Sequence, residues 1–169
     1  MSSAATEVDL WTTFTAKAEL LGAAVLRAAD QQAARHLLAE AGGTHVATAS
    51  VTRLFPIVAD GLPLASRGAA EVVAAAEFAV AETGSVALDE PREDRGACFL
   101  AERLWLLVPA DRLVSSLDEA MSELRELVRK GAHHPLLMSG PSRTADIERV
   151  LTVGVHGPRG LVLVVVGQA

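Results

Sequence analysis

The densest hydrogen-bonding capacity in the chain lies in one run, GPSRTADIERVLTVGVHGPRG, from Gly140 to Gly160, between two apolar stretches. A strand ending at Met138, then Ser139, Gly140, Pro141, Ser142 and Arg143, then a helix from Thr144, would set small residues and hydroxyls at the carboxyl end of a parallel strand. Open α/β sheets bind ligands there. Helix N-terminal amides favour an anion, and Arg143 would add a charge-assisted contact to a carboxylate or phosphate. The same spacing also fits a plain capped helix, with Ser142 or Thr144 as the cap and Asp146 and Glu148 complementing the dipole. His156, set between two glycines, is a candidate acid, base or hydrogen-bond donor, although loop histidines are more often solvent-exposed or bonded to backbone. The glycines of GVHGPRG follow a helix and precede a strand, the reverse of a dinucleotide fingerprint, which excludes a Rossmann NAD site.

A second polar knot is AETGS, from Ala81 to Ser85. Thr83, Gly84 and Ser85 supply two hydroxyls and a permissive glycine, enough to hold an anion through backbone amides, and Glu82 is a candidate carboxylate for chemistry. The alternative is a tight turn whose hydroxyls bond their own backbone. The remaining histidines make poor metal ligands. His133 and His134 are adjacent, and neighbours on an extended backbone point apart. His36 lies on a helix with no obvious second ligand four residues on, and His45 stands alone. No metal site is expected, and nothing marks a nucleophile elbow or a Ser–His–Asp arrangement.

The elements that must position these residues read as alternating strands and helices. Residues 9–21 place Leu10, Trp11, Phe14, Ala18 and Leu21 on one helical face, with Thr6 as a cap upstream. GAAVLRA is a buried strand, Asp30 opens a helix that Gly42 and Gly43 end, and THVATAS is the next strand, a βαβ unit that implies a parallel sheet. The middle of the chain has no clean period. There SVAL, from Ser85 to Leu88, reads as a strand and Pro91 to Gly96 as an exposed polar loop. RLWLLVP is a buried strand. Ser115 to Lys130 is a helix aligning Leu117, Met121, Leu124 and Val128, with acids in its first turn and bases in its last. PLLMSG is a strand, Thr144 to Val153 a helix ended by Gly154, and Leu161 to Val166 a strand, a second βαβ unit.

Composition narrows the function classes. With 169 residues, half of them hydrophobic, the chain suits one domain, 1–169, in which the N-terminal helix 9–21 leads into an α/β core. A net charge of -6 argues against nucleic acid or an anionic membrane surface as partner. The single cysteine, Cys98, excludes an internal disulfide and a self-contained iron–sulfur or structural zinc site, and reads as a buried reduced thiol. The N-terminal MSSAATEVDLWTTF has no basic patch before an apolar run, and LVLVVV is too short to span a bilayer, so a cytoplasmic location is expected.

Taken together, AETGSVAL, Arg95, LWLLVP, GPSRTADIE and GVHGPRGLVLVVV occur in an order that resembles the lactate utilization family of the LutC/YkgG type, whose domain is called LUD. The resemblance runs from about Val72 to the C-terminus. It implies a three-layer α/β fold with a mostly parallel sheet and flanking helices. That fold is similar to the NagB/RpiA/CoA transferase-like group of glucosamine-6-phosphate deaminase, ribose-5-phosphate isomerase and the CoA transferases. It also implies a part in oxidising L-lactate to pyruvate beside cysteine-rich iron–sulfur partner proteins, with no cofactor in this chain and a small carboxylate or other anion as ligand. The motif positions it marks are Thr83, Gly84, Ser85, Arg95, Gly140, Ser142, Arg143, Thr144 and Gly157 for ligand binding. Glu82, Asp146, Glu148 and His156 are the candidates for catalysis. Ala101 and Leu104 stand where members carry proline and histidine. The alternatives are a stand-alone isomerase or transferase acting on sugar phosphate or acyl-CoA, and a non-catalytic ligand-binding or assembly module.

Overall fold

A computed structural model describes residues 3–132, 134–145, 151–153 and 157–168, with side chains described outside 3–9, 143–145 and 151–153. Its centre is a parallel five-stranded sheet in the order β1 (Ala24–Ala28), β11 (Gly160–Val166), β6 (Arg103–Pro109), β3 (Glu71–Ala75), β2 (His45–Ala47). Alternation along β6 sends Leu104, Leu106 and Val108 to one face and Trp105 and Leu107 to the other. Both faces are covered. Trp105 and Leu107 join Val73, Ala75, Val164 and Val166 against α2 (Gln31–Ala41), α3 (Ala49–Leu54) and α4 (Pro56–Ala59). The opposite face packs on α1 (Ser3–Leu20) and α5 (Arg92–Leu100). Trp11 and Phe14 of α1 are fully buried edge-to-face, 5.2 Å apart, and the Trp11 indole donates to the Ala110 carbonyl.

The α/β class and the helix-covered parallel sheet match the expectation, as do α2 with Asp30 as its cap, β6 and β11, while β1 is a strand as expected but not a buried one: it lies at the sheet edge with Ala24, Leu26 and Arg27 exposed. Several elements differ. Helix α1 starts at Ser3, so Thr6 lies inside it and is not its cap. The strands β1 and β2 run parallel but at opposite edges, with β11, β6 and β3 inserted between them. Strand β2 ends at Ala47, and the rest of THVATAS turns into α3. The expected loop from Pro91 to Gly96 is the first half of α5, whose opening acids Glu93 and Asp94 suit its N-terminus while Ala97 and Cys98 are buried. In α6 (Leu117–Arg129), capped by Ser116, Ala120, Leu124 and Leu127 face the protein. Leu117, Met121 and Val128 of the expected stripe remain 41%, 37% and 58% exposed.

A second sheet, not foreseen, carries β7 (Leu113–Val114), β4 (Phe78–Val80), β5 (Ser85–Leu88) and β8 (Leu136–Met138) in that order. PLLMSG therefore does supply a strand, but β8 pairs antiparallel with β5 and does not belong to the parallel sheet. Phe78, Val80 and Ala87 face α6, while Ala79, Val86, Leu88 and Met138 close the α1 layer. The expected helix from Thr144 to Val153 is replaced at both described ends by strands, β9 (Arg143–Ala145) antiparallel to β10 (Leu151–Val153). Thr144, Thr152 and Val153 are β-branched, which favours extended pairing once a partner strand is at hand. Gly154 lies outside the described residues.

Candidate functional site

The two polar knots of the sequence do meet. β5 and β8 pair with Val86 opposite Met138, which brings Ser85 to Ser139, their hydroxyls 2.6 Å apart. Their surroundings are structural. AETGS is the β4–β5 hairpin turn, closed by the Gly84 amide on the Val80 carbonyl. Gly84, at φ +67, lies so close to α1 that a Cβ there would sit 2.5 Å from the Ala18 nitrogen. Gly140, at φ +77, meets the Leu21 carbonyl in the same way, at 2.8 Å. Glu82 is exposed and accepts the Leu117 amide at the start of α6, while the Thr83 hydroxyl is buried without a partner. Arg95 is part of α5 with one buried guanidinium nitrogen unpartnered.

Beside Ser139 a 390 Å³ cleft is lined by Phe99, Leu136 to Ser142, Gly157 and Pro158, and the Ser142 amide donates to the Pro158 carbonyl. Gly157 lies against Ser142, and Gly140 lines the same cleft. Without a helix at Thr144, the helix-terminus argument for an anion at Ser142, Arg143 and Thr144 no longer holds. Asp146, Glu148 and His156 lie outside the described residues. Substituting Ser85 and Ser139 by alanine, singly and together, should give non-additive losses of stability with a coupling of about 1 kcal/mol, measured by urea unfolding.

A different place has the form of a ligand site. Along the carboxyl ends of β1, β11 and β6 runs a 540 Å³ cavity lined by Ala29, Asp30, Pro109, Asp111, Val166 and Gly167. A second, of 570 Å³, continues past α3 to the end of α6, between Ser50, Arg53, Asp89 and Lys130. Glu77 and Arg112 line both, so the two form one crevice. The carboxyl edge is where parallel α/β sheets place ligands. Arg53 is paired with the nearly buried Glu77, and Arg112 with Glu123 at 3.0 Å. Both guanidinium groups are about half exposed, able to exchange a protein carboxylate for a ligand's.

Behind the Ser50 side of this crevice sits Glu90, 2% exposed. Its Oε1 accepts from the Thr48 hydroxyl at 2.7 Å and from the Ser50 hydroxyl, while Oε2 is buried without a partner. Ser50 Oγ also accepts the Ala75 amide at the end of β3. Burial pushes Glu90 up from an ordinary 4.5 to about 7, against the pull of the Ser50 and Thr48 hydroxyls and aided by Asp94. Nearby Cys98 is buried as expected, and burial, with Glu90 and Asp94, pushes its thiol far up, so it is no thiolate nucleophile.

Sequence reasoning missed Glu90, Thr48, Ser50, Arg53, Glu77 and Arg112. The available signal was position: Thr48 and Ser50 directly follow a strand, and Glu77 follows another. His45 sits at the amino end of β2, edge-on to Trp105 at 5.6 Å, and burial pushes it down against the opposing pull of Glu71. His36 does have a partner one turn on, Glu40 at 3.2 Å, in an exposed pair. Among the described residues no group of three or more His, Cys, Asp or Glu is placed to hold a metal, and no helix is long and apolar enough to cross a membrane.

The chain belongs to the LUD domain family: the family model matches residues 68–166. The matched segment holds β3 to β11, and β1 and β2 outside it complete the same sheet. Among curated relatives, Lactate utilization protein C of Geobacillus thermodenitrificans is 37% identical over 56% of this chain and 41% of its own length. Lactate utilization protein C of Deinococcus radiodurans is 38% identical over 57% and 46%. The chain thus spans less than half the length of these relatives. The crystal structure of a DUF162 family protein from Deinococcus radiodurans shares the fold, with a TM-score of 0.70 at 24% identity over 95% of this chain and 98% of that one.

Proposed function

We propose that this chain is a component of an L-lactate-oxidising system of the lactate utilization protein C type, and that it holds the hydroxy acid's carboxylate in the carboxyl-edge crevice. The observation that carries this is the sharing of Arg112 and Glu77 by both arms of the crevice, which sets a cation and an acceptor at its middle. A guanidinium binds a carboxylate bidentately, and Glu77 offers an acceptor to a 2-hydroxyl. Electron-carrying clusters, on this reading, belong to iron–sulfur partner proteins in the cytoplasm. The one cysteine of this chain could not ligate them. Calorimetric titration with L-lactate tests the reading: binding is expected, and Arg112→Ala should weaken it about tenfold or more by removing a charge-assisted contact. Absence of binding, or an unchanged affinity in the variant, would place the ligand elsewhere. In the host, deletion should abolish growth on L-lactate, and a normal yield would overturn the physiological part.

A second reading, an assembly module, is favoured by the exposed Leu117, Met121 and Val128 on α6. Replacing these three by serine would then release the iron–sulfur partners while leaving lactate affinity unchanged.

A further inference from the structure

We propose that Glu90 is the proton-carrying group of the crevice: a small 2-hydroxy or 2-keto monocarboxylate binds there together with a proton, which Glu90 takes up. This rests on the reading of the crevice as the ligand site. Three observations converge on it. First, Glu90 is hydrogen-bonded to Ser50, a residue that lines the crevice, and its neighbours Asp89 and Pro91 line it as well. A ligand anion in that arm is therefore one hydroxyl away from the Glu90 carboxyl. Second, Glu90 has no cationic partner in hydrogen-bond contact. Its Oε1 is held by two hydroxyls and its Oε2 has no hydrogen-bond partner, so the charged form is compensated in hydrogen-bond contact only by neutral donors, the two hydroxyls and the Ser50 backbone. Third, Asp94 on α5 favours a neutral Glu90, against the attraction of Arg53 on α3. Asp94 on α5 and Asp89 beside it are acidic, and Cys98 on α5 is neutral. Arg53 on α3 is paired with Glu77, Arg95 lies on α5 with one buried guanidinium nitrogen unpartnered, and Lys130 stands across the crevice at the end of α6.

The consequence follows from like-charge repulsion. A ligand carboxylate entering beside Ser50 adds a further negative charge close to Glu90 and raises the affinity of Glu90 for a proton. Because Glu90 already titrates near neutrality, pushed up to about 7 by burial, this shift falls in the physiological range. Above that point the free protein has lost the proton and must regain it on binding.

The test is titration calorimetry with L-lactate at about pH 6 and about pH 8, each in two buffers of different ionisation heat, which counts protons taken up. Wild type should take up little at the lower pH and approach about one proton per lactate at the higher, with affinity falling by up to about tenfold per pH unit above neutrality. Glu90→Gln should bind lactate with no proton uptake and an affinity flat across that range. Ser50→Ala, which removes a hydrogen bond to the charged carboxylate, should move the onset of proton uptake to higher pH, so that fewer protons than in wild type are taken up at about pH 8. Lactate binding with the same proton count in Glu90→Gln as in wild type overturns the role of Glu90 alone. Absence of lactate binding at both pH values in wild type overturns the crevice reading and this inference with it.

Discussion

Gly84→Ala is expected to destabilise the protein by about 3 kcal/mol or more, the largest effect of any single methyl group considered for this chain. Two terms add. Gly84 sits at φ +67, where a residue with a Cβ is strained, and its Cβ would lie 2.5 Å from the Ala18 nitrogen and 2.7 Å from the Lys17 carbonyl carbon. Both close atoms are backbone of α1, so no side chain can swing aside to relieve the contact. Relief requires moving either α1, anchored by the fully buried Trp11 and Phe14, or the β4–β5 turn, anchored by the Ser85 to Ser139 contact. Gly131→Ala separates the two terms, since Gly131 has φ +92 and open space around it, and should cost only about 1 kcal/mol. Urea unfolding of both variants checks this. A Gly84→Ala loss no larger than that of Gly131→Ala would mean that α1 and the turn are not rigidly apposed.

That result bears on why the most distinctive motifs in the sequence were read as a binding site. AETGS and GPSR do converge, but the glycines in them serve the contact with α1, and Glu82 serves the start of α6. A glycine needed for close approach to a phosphate and one needed for close approach to a helix look identical in sequence. The long, strongly patterned elements were legible: β6 and β11 as apolar runs, α2 through its Asp30 cap, α6 through the acids of its first turn and the bases of its last. The short strands β3 and β4 were not, because Val72, Val73, Ala74 and Ala75, like Phe78 and Ala79, are buried on both faces and leave no alternation to detect. The βαβ reading of β1, α2 and β2 gave their common direction but not their places in the sheet. The βαβ rule fixes direction and handedness, but later strands can insert between its members, and β11, β6 and β3 did so. The crevice was hidden on both counts. Its residues come from the ends of five strands, from α3 and from the end of α6, far apart in sequence.

Glu90 carries the second large expectation, a stability that falls with pH. In the unfolded chain this carboxyl has its ordinary value of 4.5, and in the folded protein burial raises it to about 7. Below 4.5 both states are protonated and Glu90 contributes nothing to the pH dependence. Between 4.5 and about 7 the folded protein holds a proton that the unfolded chain has lost, so folding becomes less favourable as pH rises. Above about 7 both states are ionised and the penalty is constant, about 3 kcal/mol for a difference of this size. Glu90→Gln keeps the shape and an acceptor for Thr48 and Ser50 but cannot ionise. It should therefore match wild type in unfolding free energy near pH 4, gain on it across the interval from 4.5 to about 7, and exceed it by up to about 3 kcal/mol at higher pH. Urea titrations across that range check the shape as well as the size. A gap between the two proteins that does not change with pH would mean that Glu90 is ionised throughout, stabilised by its hydroxyl donors alone. A gap that opens as described would show that the fold maintains an unfavourable buried acid at neutral pH. That is the behaviour expected of a group retained for binding, since a glutamine would serve the packing better.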